Sequence, residues 1–473
     1  MQLRDKSVGS VAAIAIVIAT AFLYNRWLLD ARTYFHVDDW QWLWRAEFFP
    51  WSDPFFSVFP SWAYNDRPVG AGFIKAVYDI VGLNHRAFQA VWLSLHVINC
   101  VLLYLTATRY ISRAGSLTAS VLAATWFSAN QAAGWVAAIF DLLGATLCLT
   151  TVLLRQMSFR SGILRYDLAG ALCYILAIRT KEFALGLVAV LFLMNVLVER
   201  QSVRVTIRQL WPYLFVFLVF AARYTQLLTT TLPPSGAPYH LELTLTGLAA
   251  SIGFYASALF NDEAGVPPVA VAGLVVALGV GMLLAEGKAQ RTAVWGVAAA
   301  GILLAPVLLL PAQVSALYLY APHFFLALAL GALVAKRVTS IALVAILAAG
   351  ILIPPTWTAT RQNVINFYYL KGQANRAMFN SVVQVLAPLP PSVSIFISGV
   401  EPVFNPFWMR PGNALKIAFK DFDLAVETER REAELAAKFC KAQGPRRFLR
   451  FEGTRATDVT AEVARRCDGA SHG

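Results

Sequence analysis

The sequence has little charge for its length. Only 14% of its 473 residues are Asp, Glu, Lys or Arg, and 58% are hydrophobic. An ordinary soluble domain carries roughly 25% charged residues. The mean hydropathy is +0.59. Because the polar residues cannot cover a globule of this size, the composition excludes a water-soluble globular protein and places most of the chain in lipid.

Other features are also missing from the sequence. No nucleic-acid recognition motif accompanies the net charge of +12, so a membrane is the expected partner rather than a nucleic acid. No repeat of about 20–50 residues is present, which argues against a solenoid. The first apolar run, about 11–29, lacks a small-residue cleavage pattern, so we interpret it as a membrane anchor rather than a removable signal peptide.

Cysteine is scarce. Three of the five cysteines, Cys100, Cys148 and Cys173, fall in apolar runs, where inert core thiols are expected. Cys440 and Cys467 are the cysteines of the polar C-terminal tail, and each closes a predicted helix. In an oxidising compartment they are expected to form a disulfide, and two free thiols are the alternative.

Apolar runs long enough for membrane helices, by contrast, are abundant. A spanning helix needs about 20 mostly apolar residues. About eleven runs approach that length, at 9–29, 87–107, 115–133, 136–154, 167–179, 183–198, 209–228, 266–285, 292–310, 317–335 and 338–354. The sequence therefore predicts an all-α polytopic membrane protein.

The basic residues predict its orientation. Lys and Arg concentrate in one set of short loops, which the positive-inside rule assigns to the cytoplasm. The loop containing Asp38 and Asp39, and everything after about residue 355, then lie on the outer side. In a bacterium this is the periplasmic side of the inner membrane. The segment 245–260 does not fit the count as a span, and we predict an interfacial or re-entrant helix on the outer side.

Two outer segments are long. Residues 30–86 are rich in Trp, Phe and Pro, which predicts interfacial helices. The tail has β-rich runs at "SVSIFISGV", "ALKIAFK" and "RRFLRFEG", with a helical stretch "VETERREAELAAKF" between them. We therefore predict a catalytic membrane domain over 1–354 and a small periplasmic α/β domain over 355–473.

Asp38 and Asp39 are the first candidate catalytic residues. At the membrane surface, a carboxylate can accept a proton from an acceptor hydroxyl, and a second carboxylate beside it raises one pKa. Asp39 is our first choice for this general base and Asp38 the second. A helix N-cap and a divalent-metal site are alternatives, but no further ligand cluster supports a metal. No cofactor is predicted.

Cations and a further acid occur in other outer segments. Arg67, Arg179 and Lys181 are candidates to bind a lipid phosphate. A turn is the alternative for Arg67, and interfacial ion pairing with Glu182 is the alternative for Arg179 and Lys181. Asp141 lies near the outer end of a span, where an ionisable group needs a function or a partner.

Polar and aromatic residues complete the candidate site. Glu182, His96, Tyr320 and His323 are candidates for substrate binding. For His96, which shares a helix face with Asn99, an inter-helix hydrogen bond is the favoured alternative, and for Tyr320 it is an aromatic belt. Residues from six outer segments could converge on one cavity that has carboxylates and cations. Such a cavity suits a substrate with a phosphate and a hydroxyl, and at a membrane this is a polyprenyl-phosphate sugar.

The order of these motifs resembles a known family. An acidic pair in a long outer loop is followed by "Y-x-x-R-P", "H-x-x-N-x-x-L-x-Y-L", "W-V-x-x-x-F-D-L-L", Lys-Glu and "L-Y-x-P". This pattern resembles the GT-C membrane glycosyltransferases over about residues 8–335. It is most similar to the protein O-mannosyltransferase-like branch, including bacterial family 39 and tetratricopeptide-linked members.

The resemblance implies a lipid-phosphate sugar donor and inverting transfer on the non-cytoplasmic side. It implies that Asp38 or Asp39 is the base. Arg67, before Pro68, matches the basic residue that contacts the donor phosphate in lipid A aminoarabinose transferases. The pair is Asp-Asp, whereas Asp-Glu is common in eukaryotic members, and the tail carries no recognisable sugar-binding or tetratricopeptide repeat. Sugar and acceptor (protein, lipid or polysaccharide) are therefore left open.

Two other functions compete with this one. A polymerase or ligase of lipid-linked glycan with a diphosphate donor is an alternative within the same class. A flippase or transporter of lipid-linked glycans would show charges along a central path and related halves. Because the charges within the predicted spans cluster at one end, the sequence favours an enzyme.

Overall fold

The computed structural model describes residues 2–58, 67–230, 239–259, 279, 287–334, 340–400, 405–407 and 412–470. This part of the chain is mostly helical, with one small sheet near the C-terminus. The helices up to residue 193 are α1 Gln2–Asn25, α2 Val37–Phe48, α3 Pro68–Val81, α4 His85–Ala107, α5 Arg113–Thr125, α6 Phe127–Gly134, α7 Ile139–Ser161, α8 Leu164–Ile178 and α9 Leu187–Leu193. The later helices are α10 Val203–Gln209, α11 Trp211–Thr230, α12 Leu245–Ala258, α13 Gly287–Leu308, α14 Tyr320–Val334, α15 Ser340–Leu386, α16 Asn413–Phe419, α17 Glu432–Lys441 and α18 Thr460–Ala470.

Several helices can cross a membrane, so the predicted polytopic membrane fold is confirmed. Within the described ranges, five are long and apolar enough: Ser10–Leu29, His85–Ala107, Val136–Ser161, Gly287–Leu308 and Ala316–Leu333. Each coincides with a predicted run. The run at 209–228 lies mostly in α11, which passes the same test together with α10, although the two helices meet at 74°.

The other predicted runs fold differently. The run 115–133 is divided between α5 and α6 because Trp126 has an extended backbone. The run 167–179 forms the 15-residue α8, and 183–198 lies in the short apolar helix Glu182–Val198. The run 266–285 lies outside the described residues, apart from residue 279. The run 338–354 begins outside the described residues, and its part from residue 340 lies at the start of α15. The count of eleven spans therefore stays a prediction.

The long helix α15 holds the segment that leads into α2. It contains 47 residues and passes through residue 355, the predicted domain boundary. The Asn375 side chain donates to the Phe35 carbonyl at 3.2 Å, and Arg376 donates to the Thr33 carbonyl at 3.1 Å. These bonds satisfy carbonyls of a non-helical segment that is buried under α15. The division into two domains stays a prediction, and α15 links the two parts.

The tail contains the predicted α/β fold. Its strands are β1 Ser394–Ser398, β2 Ala425–Glu429, β3 Arg446–Glu452 and β4 Arg455–Asp458, in the sheet order β2-β1-β3-β4. β1 is parallel to β2 and β3, whereas β3 and β4 form an antiparallel hairpin. Gly453 occupies the turn with φ +62°, a conformation that two-residue hairpin turns require.

Two details of the predicted tail were wrong. The run "ALKIAFK", expected as a strand, forms α16, in which Ala414, Leu415 and Ile417 are buried with helical spacing. The first residues of the stretch "VETERREAELAAKF" form β2 rather than helix, and α17 follows from Glu432. Ala, Leu and Lys favour helices, so the local propensity of the first run already opposed the strand assignment.

The predicted disulfide between Cys440 and Cys467 is confirmed. Their Cα atoms are 5.4 Å apart, and the bridge joins α17 to α18. The two helices cover one face of the sheet, where Phe396, Phe439 and Phe448 are buried together. The bridge therefore links the two elements that close this small core.

Removal of the disulfide tests its contribution. We expect Cys440→Ser to lower the free energy of unfolding of the tail by about 3 kcal/mol, because a bridge that closes a loop of this size restricts the unfolded chain. Thermal unfolding followed at the sheet would measure the loss, with Cys173→Ser as the matched control. If both tail cysteines are alkylated freely without reductant, the bridge is absent from the protein in solution.

Candidate active site

The two adjacent aspartates at the start of α2 have different environments. Asp39 is completely buried, and both of its oxygens are occupied. One accepts the backbone N–H of His36 at 2.7 Å, and the other accepts the backbone N–H of Ala137 at 2.7 Å. Asp38 is half-buried and makes no hydrogen bond or ion pair with any described residue. Asp38 is thus the more accessible of the two carboxylates.

Burial raises the pKa of both aspartates. Loss of solvation raises the pKa of Asp39 to about 8, although its two backbone N–H donors oppose the shift, and the nearby Asp38 adds to it. Burial also raises the pKa of Asp38. A carboxyl that is protonated at neutral pH and already accepts two N–H groups is a poor proton acceptor. A half-buried carboxylate with a raised pKa suits a general base better.

Four charged side chains from three segments of the chain form a second feature, which we term the ion-pair cluster: Arg67, Asp141, Lys181 and Glu182. Arg67 donates to both Glu182 oxygens, at 2.7 and 3.1 Å. Lys181 Nζ lies 3.2 Å from the Asp141 carboxylate. The structure therefore brings together four of the residues that the sequence singled out.

The two pairs differ in exposure. The Arg67 and Glu182 side chains are 30% and 34% exposed, whereas Lys181 and Asp141 are 6% and 3% exposed. Water screens a partly exposed ion pair, so a competing anion can replace Glu182 at Arg67 at a lower cost than it could replace Asp141 at Lys181. Breaking a buried pair costs about 3–5 kcal/mol. Arg67 is therefore the exchangeable cation, and Lys181 is the fixed one.

Phe140 connects the aspartate pair with the cluster. Its ring centroid lies 4.7 Å from that of Trp42, one helical turn after Asp38, and the Arg67 guanidinium lies 5.7 Å from the same ring. Gly70 allows this approach, because a Cβ at this position would overlap the Phe140 ring. The Asp39–Ala137 hydrogen bond further ties α2 to the segment that leads to Asp141.

Arg179, predicted to bind phosphate, is bound to backbone. Its guanidinium donates to the carbonyls of Ser57 at 3.3 Å and Val58 at 3.1 Å, and the side chain is 2% exposed. Its own carbonyl accepts the N–H of Val69 at 3.3 Å. Arg179 thus connects the two sides of the loop that leads to Arg67, which is a positioning role.

His96, Tyr320 and His323, predicted to bind substrate, are completely buried between helices. His96 Nδ1 lies 2.9 Å from the Tyr320 hydroxyl, and Asn99 donates to the same hydroxyl at 3.1 Å. The His323 ring stacks on Phe324 at 4.2 Å. This arrangement is the inter-helix hydrogen bond that the sequence offered as the alternative for His96.

Two tyrosines near the cluster were missed as site residues. Lys181 Nζ lies 5.0 Å from the centroid of the Tyr318 ring. Tyr239 is 52% exposed and within electrostatic reach of both Arg67 and Tyr318. Tyr318 resembles an aromatic-belt residue in the sequence, and Tyr239 follows a turn-rich stretch, so neither carried a local signal. Among the described residues, no group of three His, Cys, Asp or Glu side chains could hold a metal.

Comparison with solved structures identifies the fold. ArnT from Cupriavidus metallidurans bound to undecaprenyl phosphate matches with a TM-score of 0.55 at 12% identity, over 97% of this chain and 99% of ArnT. Its apo state matches with a TM-score of 0.51 at 15% identity over the same shares. No protein-family model matches the chain, and no curated protein sequence does.

A second neighbour is an archaeal enzyme. The Archaeoglobus fulgidus oligosaccharyltransferase tethered with an acceptor peptide matches with a TM-score of 0.52 at 12% identity. The match covers 90% of this chain and 64% of the archaeal one, so this chain spans about two thirds of that enzyme's length. At these identities the likeness shows the fold. The predicted GT-C fold, with its small C-terminal α/β part, is confirmed.

Proposed function

We propose that this protein is an inverting glycosyltransferase that moves a sugar from a polyprenyl-phosphate donor to an acceptor on the periplasmic side of the membrane. The observation that carries the proposal is the grouping of Asp38 and the ion-pair cluster on a GT-C fold. The fold matches ArnT over 99% of the ArnT chain, in a structure that contains undecaprenyl phosphate. A free carboxylate and an exchangeable cation are what transfer from a lipid phosphate requires.

Each group has a role in this reaction. Asp38 accepts the proton of the acceptor hydroxyl as the hydroxyl oxygen attacks the anomeric carbon. The bond from that carbon to the phosphate oxygen breaks, and polyprenyl phosphate leaves. Arg67 and Lys181 offset the charge on the leaving phosphate, while Asp141 holds Lys181 in place. Attack opposite the leaving group inverts the anomeric carbon.

Donor turnover tests the function. The purified full chain, reconstituted in lipid, should release polyprenyl phosphate from a matching polyprenyl-phosphate sugar when the acceptor fraction is added. A panel of monophosphate and diphosphate donors with different sugars would be compared. Release from diphosphate donors alone would favour the polymerase or ligase alternative, and movement of intact donor across the bilayer without cleavage would favour a flippase.

Arg67→Ala should mainly weaken donor binding. Loss of a charge-assisted phosphate contact costs about 1.5–3 kcal/mol, so the donor Kd should rise about tenfold or more. Titration of the donor against parent and variant measures the change, with Arg204→Ala, an exposed arginine far along the chain, as control. An unchanged Kd would move the phosphate site away from Arg67.

The outer location of the tail is a further part of the proposal. The Cys440–Cys467 disulfide supports it, because disulfides persist in oxidising compartments such as the periplasm. A reporter that is active only in the periplasm, fused after Gly473, should therefore be active. Activity of a cytoplasmic reporter at the same position would contradict the orientation and, with it, the side on which Asp38 reacts.

A further inference from the structure

A surface groove of about 890 Å³ lies where the first span ends. Its lining comes from the end of α1 with the turn after it, from the start of α4 and from α15. No residue of the ion-pair cluster lines it, and neither aspartate of α2 does. The groove is therefore separate from the candidate active site. It lies at the C-terminal end of α1, from which the chain continues to Asp38.

The groove has an excess of positive charge. Arg26, Arg86 and Arg361 all line it. Arg26 and Arg86 are exposed and make no ion pair with any described residue. Asp30 supplies a carboxylate to the lining, but Arg32 binds it through both oxygens at 2.9 Å. Among the described residues, none of these three guanidinium groups has a carboxylate partner.

Arg361 is oriented in the groove by Tyr24. Arg361 is held in place by a bond to the Tyr24 carbonyl at 2.5 Å and by the Tyr24 ring 4.1 Å away. Its Nε is nevertheless buried without a partner in the described structure, and so is the indole N–H of Trp27, another lining residue. Because both atoms have almost no exposed surface, a headgroup in the groove would contact the exposed Arg26 and Arg86 rather than these two donors.

The wall of the groove is apolar on the side of the first span. Phe22 and Leu23 line it and are 44% and 56% exposed, although they belong to a helix that can cross the membrane. Exposed apolar residues on such a helix face lipid chains. The groove thus combines cations at the end of a span with an apolar surface along the span, and this combination matches a charged lipid rather than a free ion.

We propose that the groove binds an anionic phospholipid, with the phosphate headgroup among Arg26, Arg86 and Arg361 and an acyl chain along Phe22 and Leu23. Its volume lies within the range of about 300–1,000 Å³ that is usual for small-molecule sites. The proposal does not depend on the transfer reaction. It assigns a lipid to the bilayer leaflet at the end of α1, beside the segment that α15 holds against the start of α2.

Native mass spectrometry of the full chain, titrated with phosphatidylglycerol or phosphatidylcholine, tests this site. We expect the parent to prefer phosphatidylglycerol. The double variant Arg26→Gln/Arg86→Gln should bind it at least about tenfold more weakly, because each lost charge-assisted contact is worth about a factor of ten. Arg204→Gln/Arg208→Gln, which removes two exposed arginines at another place in the chain, should match the parent.

The same titration can overturn the proposal. Equal affinity of parent and Arg26→Gln/Arg86→Gln for phosphatidylglycerol would do so, and so would equal affinity of the parent for the two lipids. Full displacement of phosphatidylglycerol by millimolar inorganic phosphate would show that a free anion occupies the groove. If the double variant does not fold, Arg86→Gln alone replaces it, because Arg86 is exposed in the first turn of α4.

Discussion

Replacing Asp38 with asparagine is expected to lower the transfer rate by about 10²–10⁴-fold, the usual contribution of a general base. Asp38 is half-buried and has no partner among the described residues, so asparagine should leave the fold intact. In the parent, burial raises the pKa of Asp38, so the rate should rise with pH as this group loses its proton. That rise should be absent in Asp38→Asn. Single-turnover rates of purified protein, measured across pH, would show both effects.

Asp39→Asn is the matched control. An amide oxygen can accept one of the two backbone N–H groups, but the amide nitrogen cannot accept the other. We expect the free energy of unfolding to fall by about 1–3 kcal/mol, with a smaller loss of transfer in the folded fraction. This reverses the order that the sequence favoured for the two acids. Loss of transfer in a folded Asp39→Asn, with near-normal transfer in Asp38→Asn, would restore Asp39 as the base.

Lys181→Met is expected to have the largest effect on stability. It leaves the Asp141 carboxylate buried without its cation, and breaking a buried pair from one side costs about 3–5 kcal/mol. The double variant Lys181→Met/Asp141→Leu removes both charges and should recover most of the loss. It should nevertheless remain inactive, because it lacks the cation that we propose offsets the charge on the leaving phosphate. Denaturant unfolding in detergent and donor release would separate the two effects.

Glu182→Gln is the comparison for that experiment. It removes the negative charge of the partly exposed pair with Arg67, which we expect to cost about 1 kcal/mol, less than the loss of the buried pair. If Lys181→Met is no more destabilising than Glu182→Gln, then Lys181 and Asp141 do not form a buried pair in the membrane-bound protein. The assignment of Lys181 as the fixed cation would then fail.

Local patterns were sufficient for much of the fold. The spans at α1, α4, α7, α13 and α14 follow from runs of about 20 apolar residues, which only a membrane or a very large core can accept. The strands β1 and β3 could also be predicted locally, because each is a short β-rich run. The disulfide could be predicted because the tail contains two cysteines, each at the end of a predicted helix. The error at α16 arose where a short apolar run fits either a helix or a strand.

The candidate site was predictable as a set of residues but not as an arrangement. The sequence indicated Arg67, Asp141, Lys181 and Glu182, because charges beside apolar runs are expensive and need partners. It could not show that Arg179 binds backbone carbonyls, or that His96 and Tyr320 are buried together. Those outcomes depend on which helices become neighbours.

The sequence by itself determined that the chain is a polytopic membrane protein with an acidic pair, several cations and a small cysteine-bridged tail. The composition and the length of the apolar runs decide this, since a long apolar segment is stable in lipid and a charged segment is stable in water. Tertiary structure decided which aspartate is free, because the N–H of Ala137 occupies an oxygen of Asp39 from 98 residues away. It also decided which cation can exchange its partner, because exposure sets the strength of an ion pair, and exposure depends on how the helices pack.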